Sequence, residues 1–405
     1  MTILVLNSGS SSFKFAAYRY PLGAAAPGDA PADRSAVHMG PDELLRGQVQ
    51  GLPDAPVLSW RADGVHRAEI ALPTPADQRR ALRVVLERLQ AEGLIDRLEA
   101  VGHRVTHGGE SLVAPHRIDA STLALLESLQ PLAPLHQPYC IAGIQAMMAL
   151  APEVPQVACF DTAFHATQPR LHTTMPLPAN WRDRGMRRYG FHGLSFEWIA
   201  QQLPALLGEE AAEGRVIVAH LGSGASVCGM LGRRSVRTSM GLSTLDGLVM
   251  STRPGALDIG VALYALQELH MDVAELDRGL HCASGLLGLS GISGDMRVLA
   301  DSDDPRARFA IEMFCQRAAQ EIAATAVALG GCDAIVFTAG IGEHSSAVRE
   351  AIVGLLGWMG LRIDAGRNAV HGPRLHASDS AAGLWVVPTD EERVIARHTA
   401  ALLNA

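Results

Sequence analysis

Residues 3–15 (ILVLNSGSSSFKF) and 216–230 (VIVAHLGSGASVCGM) follow one plan: an apolar run, a turn of glycine and serine, and a second run that resumes as a strand. Such a turn leaves backbone N–H groups and hydroxyls pointing into one small space, which suits phosphate oxygens. Either copy alone is what any tight hairpin needs. Two copies in one chain point to a fold that builds the same device twice and grips a polyphosphate from two sides.

A third element adds weight. In residues 334–350 (AIVFTAGIGEHSSAVRE) a buried-strand pattern runs into Gly340-Ile341-Gly342 and then a helix. Unpaired N–H groups and the helix dipole favour an anion at that junction. It is not a P-loop, because no Gly-Lys-Ser/Thr follows, and it lacks the full G-x-G-x-x-G fingerprint.

The chain has 405 residues, which favours two to three domains, and its 48% hydrophobic and 19% charged content predicts compact packing. A net charge of −8 gives no general attraction to nucleic acid or an anionic membrane surface, so an anionic ligand has to be held by local arginines. Cys140, Cys159, Cys228, Cys282, Cys315 and Cys332 show no C-x-x-C spacing, and no charged-then-apolar leader follows Met1. No apolar run is long enough to span a bilayer. The expectation is a soluble protein of the reduced cytoplasm.

Strands alternate with helices, which predicts α/β architecture with mixed sheets. Helices are expected at 76–98, 119–130, 138–150, 195–207, 258–269, 305–329 and 390–403. Residues 20–41, rich in Ala, Pro and Gly, read as a mobile surface insertion remote from chemistry, before a strand near Gly47–Gly51. Pro169, Pro176 and Pro178 suggest a boundary, since proline denies ladder and helix bonds.

In Val101–Glu110 (VGHRVTHGGE) a strand ends in a Gly-Gly turn. His103 and His107 stand four residues apart, roughly 13 Å on a strand, too far to share one metal ion. Arg104 is costly at the apolar end of a strand unless it meets an anion, either a ligand or the partner in a structural ion pair. Further polar interruptions occur at Leu135-His136-Gln137-Pro138, Cys159–His165, Tyr189–Gly193 and Ser251–Gly255. Taken singly, His136 reads as a cap, Asp161 as a turn former, His192 as a core histidine and Arg253 as a surface charge.

Together, VLNSGSSSFKF, GHRVTHGGE, PLAPLHQP, CFDTAFH, YGFHGLS, VAHLGSGASV, TSMGLSTLDGLVMSTRPGALD, SGISGDMR, FTAGIGEH and VPTDEERVIAR resemble the motifs of acetate kinases, in that family's order, across residues 3–397. The resemblance implies an actin-like, ribonuclease H-like ATPase fold: two α/β domains with a duplicated βββαβαβα-type core, an interdomain cleft, and closure during turnover. It implies an N-terminal domain of 1–165 plus 393–405, and a nucleotide-binding and dimerisation domain of 166–392, hence a homodimer. The implied reaction is reversible, direct in-line phosphoryl transfer between ATP and acetate, giving acetyl phosphate and ADP. It would use Mg²⁺, for which Mn²⁺ could substitute.

By the same resemblance, Arg104 and Arg253 meet the carboxylate and the phosphoryl group, and His192 hydrogen-bonds the phosphoryl group in the transition state. His136 assists, and Asp161 orients an arginine or the metal's water. Thr106, Leu135, Phe191 and Thr244 line the acyl pocket with Arg104. Asn7 and Glu391 lie near the metal, and Asn7, Ser10, Ser12 and Lys14 belong to the N-terminal phosphate and metal loop. His220, Gly222, Ser223 and Gly224, with Gly340, Ile341, Gly342 and His344, line the nucleotide phosphates, and Asp295, Met296 and Arg297 lie near the adenosine. Two alternatives stay open from the residues: Thr389–Glu392 also reads as a capping box, and Asp295 with Arg297 as a turn-stabilising ion pair.

Ser223, His344 and Asp390 each replace an Asn of the usual pattern, and Arg237 replaces an acid. Thr106 replaces Val and Thr244 a frequent Pro, which makes the acyl pocket more polar. Acetate is the expected acceptor, with propionate or another short-chain acid the alternative. Rival readings are a nucleotide-driven conformational ATPase of the actin or Hsp70 kind, and a sugar kinase with Asp161 as base.

Overall fold

The computed structural model describes residues 1–9, 12–20, 41–62, 64–91, 93 and 97–404. Ser10 and residues 21–40 of the insertion lie outside the described residues. Chain contacts form two compact units, Met1–Ala163 with Asp390–Ala405, and Phe164–Thr389.

In the first unit the leading hairpin is β1 (Thr2–Ser8) and β2 (Ser12–Arg19), antiparallel, with Asn7 opposite Lys14. Next to β2, β3 (Asp42–Gln50), β4 (Val57–Ala62) and β5 (Val65–Ala71) extend the antiparallel meander. Beyond β1 come β6 (Ala100–Val105), the edge strand β7 (His116–Arg117) and β8 (Gln156–Phe160). The order is β5-β4-β3-β2-β1-β6-β8-β7, with β1, β6 and β8 mutually parallel.

The second unit holds β9 (Arg215–Leu221), β10 (Ala225–Leu231), β11 (Arg234–Thr238), β12 (Ala334–Thr338) and β13 (Gly383–Val386) in the order β11-β10-β9-β12-β13. Here too a three-strand antiparallel meander leads into a parallel trio, β9, β12 and β13. The run β3-β2-β1-β6-β8 of the first unit has the same pairings and directions, so the repetition seen in two hairpins extends to the whole second sheet and five strands of the first. Parallel strands covered on both faces read as unbroken apolar runs, and β8 (QVACF) and β12 (AIVFT) are buried at every residue.

The expected helices occur as Gln78–Ala91, Ala120–Ser128, Gln137–Leu150, Gly193–Leu207, Gly260–Gln267, Pro305–Leu329 and Glu391–Asn404. Pro305–Leu329 shows why such ends are readable. Asp304 accepts from the Arg306 N–H, Pro305 occupies the first turn, and Gly330 closes the helix with φ 71°.

Two local expectations change. Gly340-Ile341-Gly342 is not a turn ahead of a helix: helix Ala339–His344 follows β12 directly, and Ala339 makes the reversal at φ 66°. The Pro-rich stretch lies within the second unit, where Pro169 and Pro178 each precede a four-residue helix. All six cysteines are unpaired. Among the described residues no helix is long and apolar enough to cross a membrane.

Candidate active site

Both parallel trios direct their carboxyl ends toward polar residues, the place where open α/β sheets bind ligands. In the first unit Asn7 is near the end of β1, Arg104 near the end of β6, and Asp161 immediately after β8. Glu391 opens the last helix. Arg104 donates through Nε and Nη2 to the two oxygens of Asp161, at 3.0 and 2.5 Å, and through Nη1 to Asn7 Oδ1 at 3.1 Å. Glu391 Oε2 lies 4.0 Å from Arg104 Nε. Burial works against the charge of Arg104, and Asp161 and Glu391 more than offset it. Burial also pushes the Glu391 carboxyl up to about 7, against the pull of Arg104 and with added repulsion from Asp161.

Among the described residues no three His, Cys, Asp or Glu side chains form a group that could hold a metal alone. Mg²⁺ needs no such cage, because it keeps several waters and takes one or two carboxylates with phosphate oxygens. Both Asp161 oxygens are engaged by Arg104, whereas Glu391, and Asn7 Oδ1 through its second lone pair, are hard oxygen donors suited to that ion. His103 and His107 do not compete. Burial pushes each down to about 4, His103 Nε2 sits 2.6 Å from Gln156 Oε1, and His107 Nδ1 accepts from the Gly109 N–H.

Thr106 is buried, with Oγ1 3.7 Å from Cys140 Sγ. The hydroxyl that makes this position more polar is thus turned to a neighbouring thiol. Leu135 and His136 are half-buried, and His136 stands at the N-cap of helix Gln137–Leu150. Lys14 is exposed on β2.

In the second unit His192 caps helix Gly193–Leu207 in the left-handed region, φ 59°. Strain of this kind persists where surrounding bonds over-determine the backbone. They do so here: His165 Nε2 bonds the Phe191 carbonyl at 3.0 Å, and His192 Nδ1 lies 2.8 Å from Ser226 Oγ. The His192 ring stacks on His220, with centroids 4.2 Å apart and planes at 14°. Arg253 donates through Nη1 to the Thr244 carbonyl at 2.8 Å.

Gly224 defines the space these groups share. A Cβ placed on it would stand 2.9 Å from Arg253 Nη2 and 3.0 Å from His192 Nε2. The missing side chain therefore leaves a point within hydrogen-bond distance of both nitrogens. The Gly222 N–H donates to the Gly224 carbonyl at 3.0 Å, closing the turn, and a Cβ on Gly222 would be 3.6 Å from Ala339 Cβ. This brings the β9–β10 turn beside the start of helix Ala339–His344. Glu343 secures that start by accepting from the Ala339 and Thr389 N–H groups, at 2.8 and 3.1 Å.

A match over residues 2–397 joins the chain to the acetokinase family. The chain belongs to that family. It is 45% identical to the acetate kinase of Rhodopseudomonas palustris, over 98% of this chain and 97% of the relative. Among solved structures, a propionate kinase from Francisella tularensis matches with a TM-score of 0.88 at 33% identity, covering 98% of this chain and 99% of that one. The acetate kinase of Porphyromonas gingivalis matches at 0.85 and 32%, covering 99% of both chains. The fold is that of acetate and propionate kinases.

Not every residue singled out in this acetokinase chain joins a cluster. Asp295 and Arg297 close on each other in a two-pronged pair, 3.1 and 2.6 Å, with the Arg297 side chain 88% exposed. Met296 and Phe191 are packed in the hydrophobic core of the second unit. His344 is exposed, 3.8 Å from Glu343 Oε2, and Ser223 is exposed with its carbonyl accepting from the Ser251 N–H. Ile341 is half-buried against the core.

Two substitutions against the family pattern have local explanations. Asp390 is held by Arg46 Nη2 at 2.7 Å and Arg393 Nε at 2.9 Å, and its carboxylate accepts from the Arg393 N–H. It is thus the cap of the last helix, a role expected of Thr389, whose hydroxyl instead donates to Ser195 Oγ. Arg237 reaches Glu321 at 2.9 Å and Thr325 at 2.6 Å on helix Pro305–Leu329.

Ser195, Ser226, Glu343 and Arg46 were not singled out from sequence. The first three lie inside quoted motifs; Ser195 and Ser226 gain their partners only through tertiary packing, and Glu343 joins a neighbour four residues back to the distant Thr389. Arg46 carries no local signal at all.

Proposed function

We propose that the protein is an acetate kinase, transferring the γ-phosphoryl group of ATP to acetate reversibly and directly, with acetyl phosphate and ADP as products. The observation that carries this reading is the convergence of His192 Nε2 and Arg253 Nη2 on the bare face of Gly224. Both reactants are anions, so the protein's task is to align them and neutralise charge on the transferring group. In this reading Arg253 and His192 donate to the phosphoryl oxygens as charge builds, with His136 assisting. Arg104, oriented by Asp161, receives the acetate carboxylate.

Mg²⁺, when bound, would supply charge neutralisation at the phosphates. Glu391 and Asn7 would hold it, with Lys14, paired opposite Asn7, drawing the Glu391 carboxyl down. The glycines at 222, 224, 340 and 342 allow phosphates close to the backbone, and Ser223, His220, Ile341 and His344 flank them. The Asp295-Met296-Arg297 segment is assigned to the adenosine. The satisfied hydroxyl of Thr106 makes no demand on the acceptor, which supports a short alkyl group beside Thr106 and Leu135. One methylene is worth only about 1 to 3 kcal/mol there, so propionate should be a weaker acceptor rather than an excluded one. A homodimer in the cytoplasm completes the reading, its pairing supported by exposed apolar residues around helix Gly260–Gln267, among them Ile259, Leu263, Tyr264 and Leu269.

Hydroxylamine trapping of acyl phosphate tests it, with Mg²⁺ and ATP as donor and acetate, propionate, butyrate or no acid as acceptor. Acetyl phosphate from ATP and acetate, lost in Arg253→Ala, is the expected result. A better specificity constant with propionate or butyrate would reassign the acceptor. ATP turnover with no acid-dependent product would favour a conformational ATPase.

A further inference from the structure

Thr389 Oγ1 donates to Ser195 Oγ at 2.8 Å, and Ser195 Oγ lies 2.8 Å from His220 Nδ1. Ser195 is 0% and His220 7% exposed, so the chain of groups runs through protein. A serine hydroxyl carries one proton. Since Ser195 already accepts from Thr389, its own proton is free to point at the imidazole. With that proton on the imidazole side, His220 Nδ1 accepts, and the single proton of the neutral ring belongs on Nε2.

We propose that Ser195 and Thr389 are positioning residues that hold His220 in its Nε2–H tautomer and aim that N–H at the Gly222 turn. Three observations fix the aim. His220 Nε2 lies 4.0 Å from where a Cβ on Gly222 would stand. One face of the ring is stacked on His192, and Phe196 meets it edge-on at 6.2 Å. Turning the ring over would set a carbon against the Ser195 hydroxyl and break its bond, a costly loss inside protein. His192 has the same arrangement, with Nδ1 on Ser226 and Nε2 beside Gly224. The two stacked rings therefore direct their Nε2 edges at one glycine turn. A fixed N–H donor suits an anionic oxygen, whereas the other tautomer would offer it a lone pair.

The use of this donor rests on the phosphoryl-transfer reading, but the tautomer does not, and the test separates them. Imidazole ¹⁵N NMR of the ligand-free protein at neutral to mildly alkaline pH, with the His220 signals assigned by their loss in His220→Gln, reads the protonated nitrogen directly. The parent should show a protonated Nε2 and an unprotonated Nδ1. Ser195→Ala and Thr389→Val should each shift population to the Nδ1–H form or a mixture, and Thr389→Ser should restore the parent pattern. In turnover, Ser195→Ala should raise KM for ATP about tenfold or more, with a smaller change in kcat. A parent His220 that is doubly protonated or Nδ1–H, or a tautomer unmoved in Thr389→Val, would overturn the proposal. Should Ser195→Ala not fold, the parent and Thr389 spectra alone decide it. The expected tautomer with no acyl phosphate formed would sink the kinase reading and leave this assignment standing.

Discussion

Arg104 and Asp161 meet in a two-pronged pair, Nε to Oδ1 at 3.0 Å and Nη2 to Oδ2 at 2.5 Å, with the Asp161 side chain only 1% exposed. The carboxylate fixes the plane of the guanidinium and leaves Nη1 to Asn7. Asp161→Asn puts an amide where the second bond was and removes the charge that offsets burial. Breaking a buried pair on one side costs about 3 to 5 kcal/mol. Urea unfolding should register a loss near the lower end, and KM for acetate should rise along with a fall in kcat. A variant with parent stability and parent KM would show that Asp161 does not orient Arg104.

Gly224→Ala tests the shared space beside His192 and Arg253. Gly224 is not in the left-handed region, so the backbone accepts alanine, and the new methyl would stand 2.9 Å from Arg253 Nη2 and 3.0 Å from His192 Nε2. Losing one charge-stabilising donor costs about 10²- to 10³-fold in kcat. A fall of that order is expected, with a melting temperature close to the parent's. Full activity would mean that no reacting group visits that point.

Glu391 predicts a pH dependence. Its carboxyl is raised from 4.5 to about 7, chiefly by burial, so between those values the folded state binds more protons than the unfolded state. Stability then falls as pH rises through that window, by at most about 3 kcal/mol. Glu391→Gln should flatten the slope, drawing together urea midpoints measured at pH 5 and pH 8. Because a metal needs the ionised carboxylate, half-saturation by Mg²⁺ should move to higher concentration below pH 7 in the parent. An unchanged slope in the variant would place the titration elsewhere.

Arg46 holds the residues on both sides of Glu391, Asp390 at 2.7 Å and Glu392 at 2.8 Å, and Glu43 at 2.8 Å. Arg46→Met strands three carboxylates in a partly buried site, and a loss of about 2 kcal/mol is expected. Asp390→Asn keeps a capping oxygen and gives up only charge, so it should cost less than about 1 kcal/mol. Chemical denaturation of the two variants compares them directly, and equal losses would contradict this division of roles.

The fold is most legible in the sequence where structure is decided locally. The helix Pro305–Leu329 is bounded by an Asp cap, a proline in the first turn and a left-handed glycine, each acting within a few residues of the end it sets. The strand–turn–strand repeat was visible for the same reason, since apolar runs and Gly/Ser turns are short-range features. At Gly340-Ile341-Gly342 local reading placed a turn where the helix had already begun, because the reversal is made at Ala339, a residue with no special signal for it.

What the sequence determined by itself is the set of elements, their order, and the residue types a phosphoryl-transfer site requires. Tertiary structure alone decided the partners: Asp161 for Arg104, Ser226 for His192, Ser195 and through it Thr389 for His220, and Arg46 for Asp390. The physical reason is distance along the chain. A cap or turn is fixed by neighbours a few residues away, whereas Arg46 and Asp390 lie 344 positions apart and Ser195 and Thr389 lie 194 apart, so only the packing of sheets and helices brings their polar atoms within a bond's length.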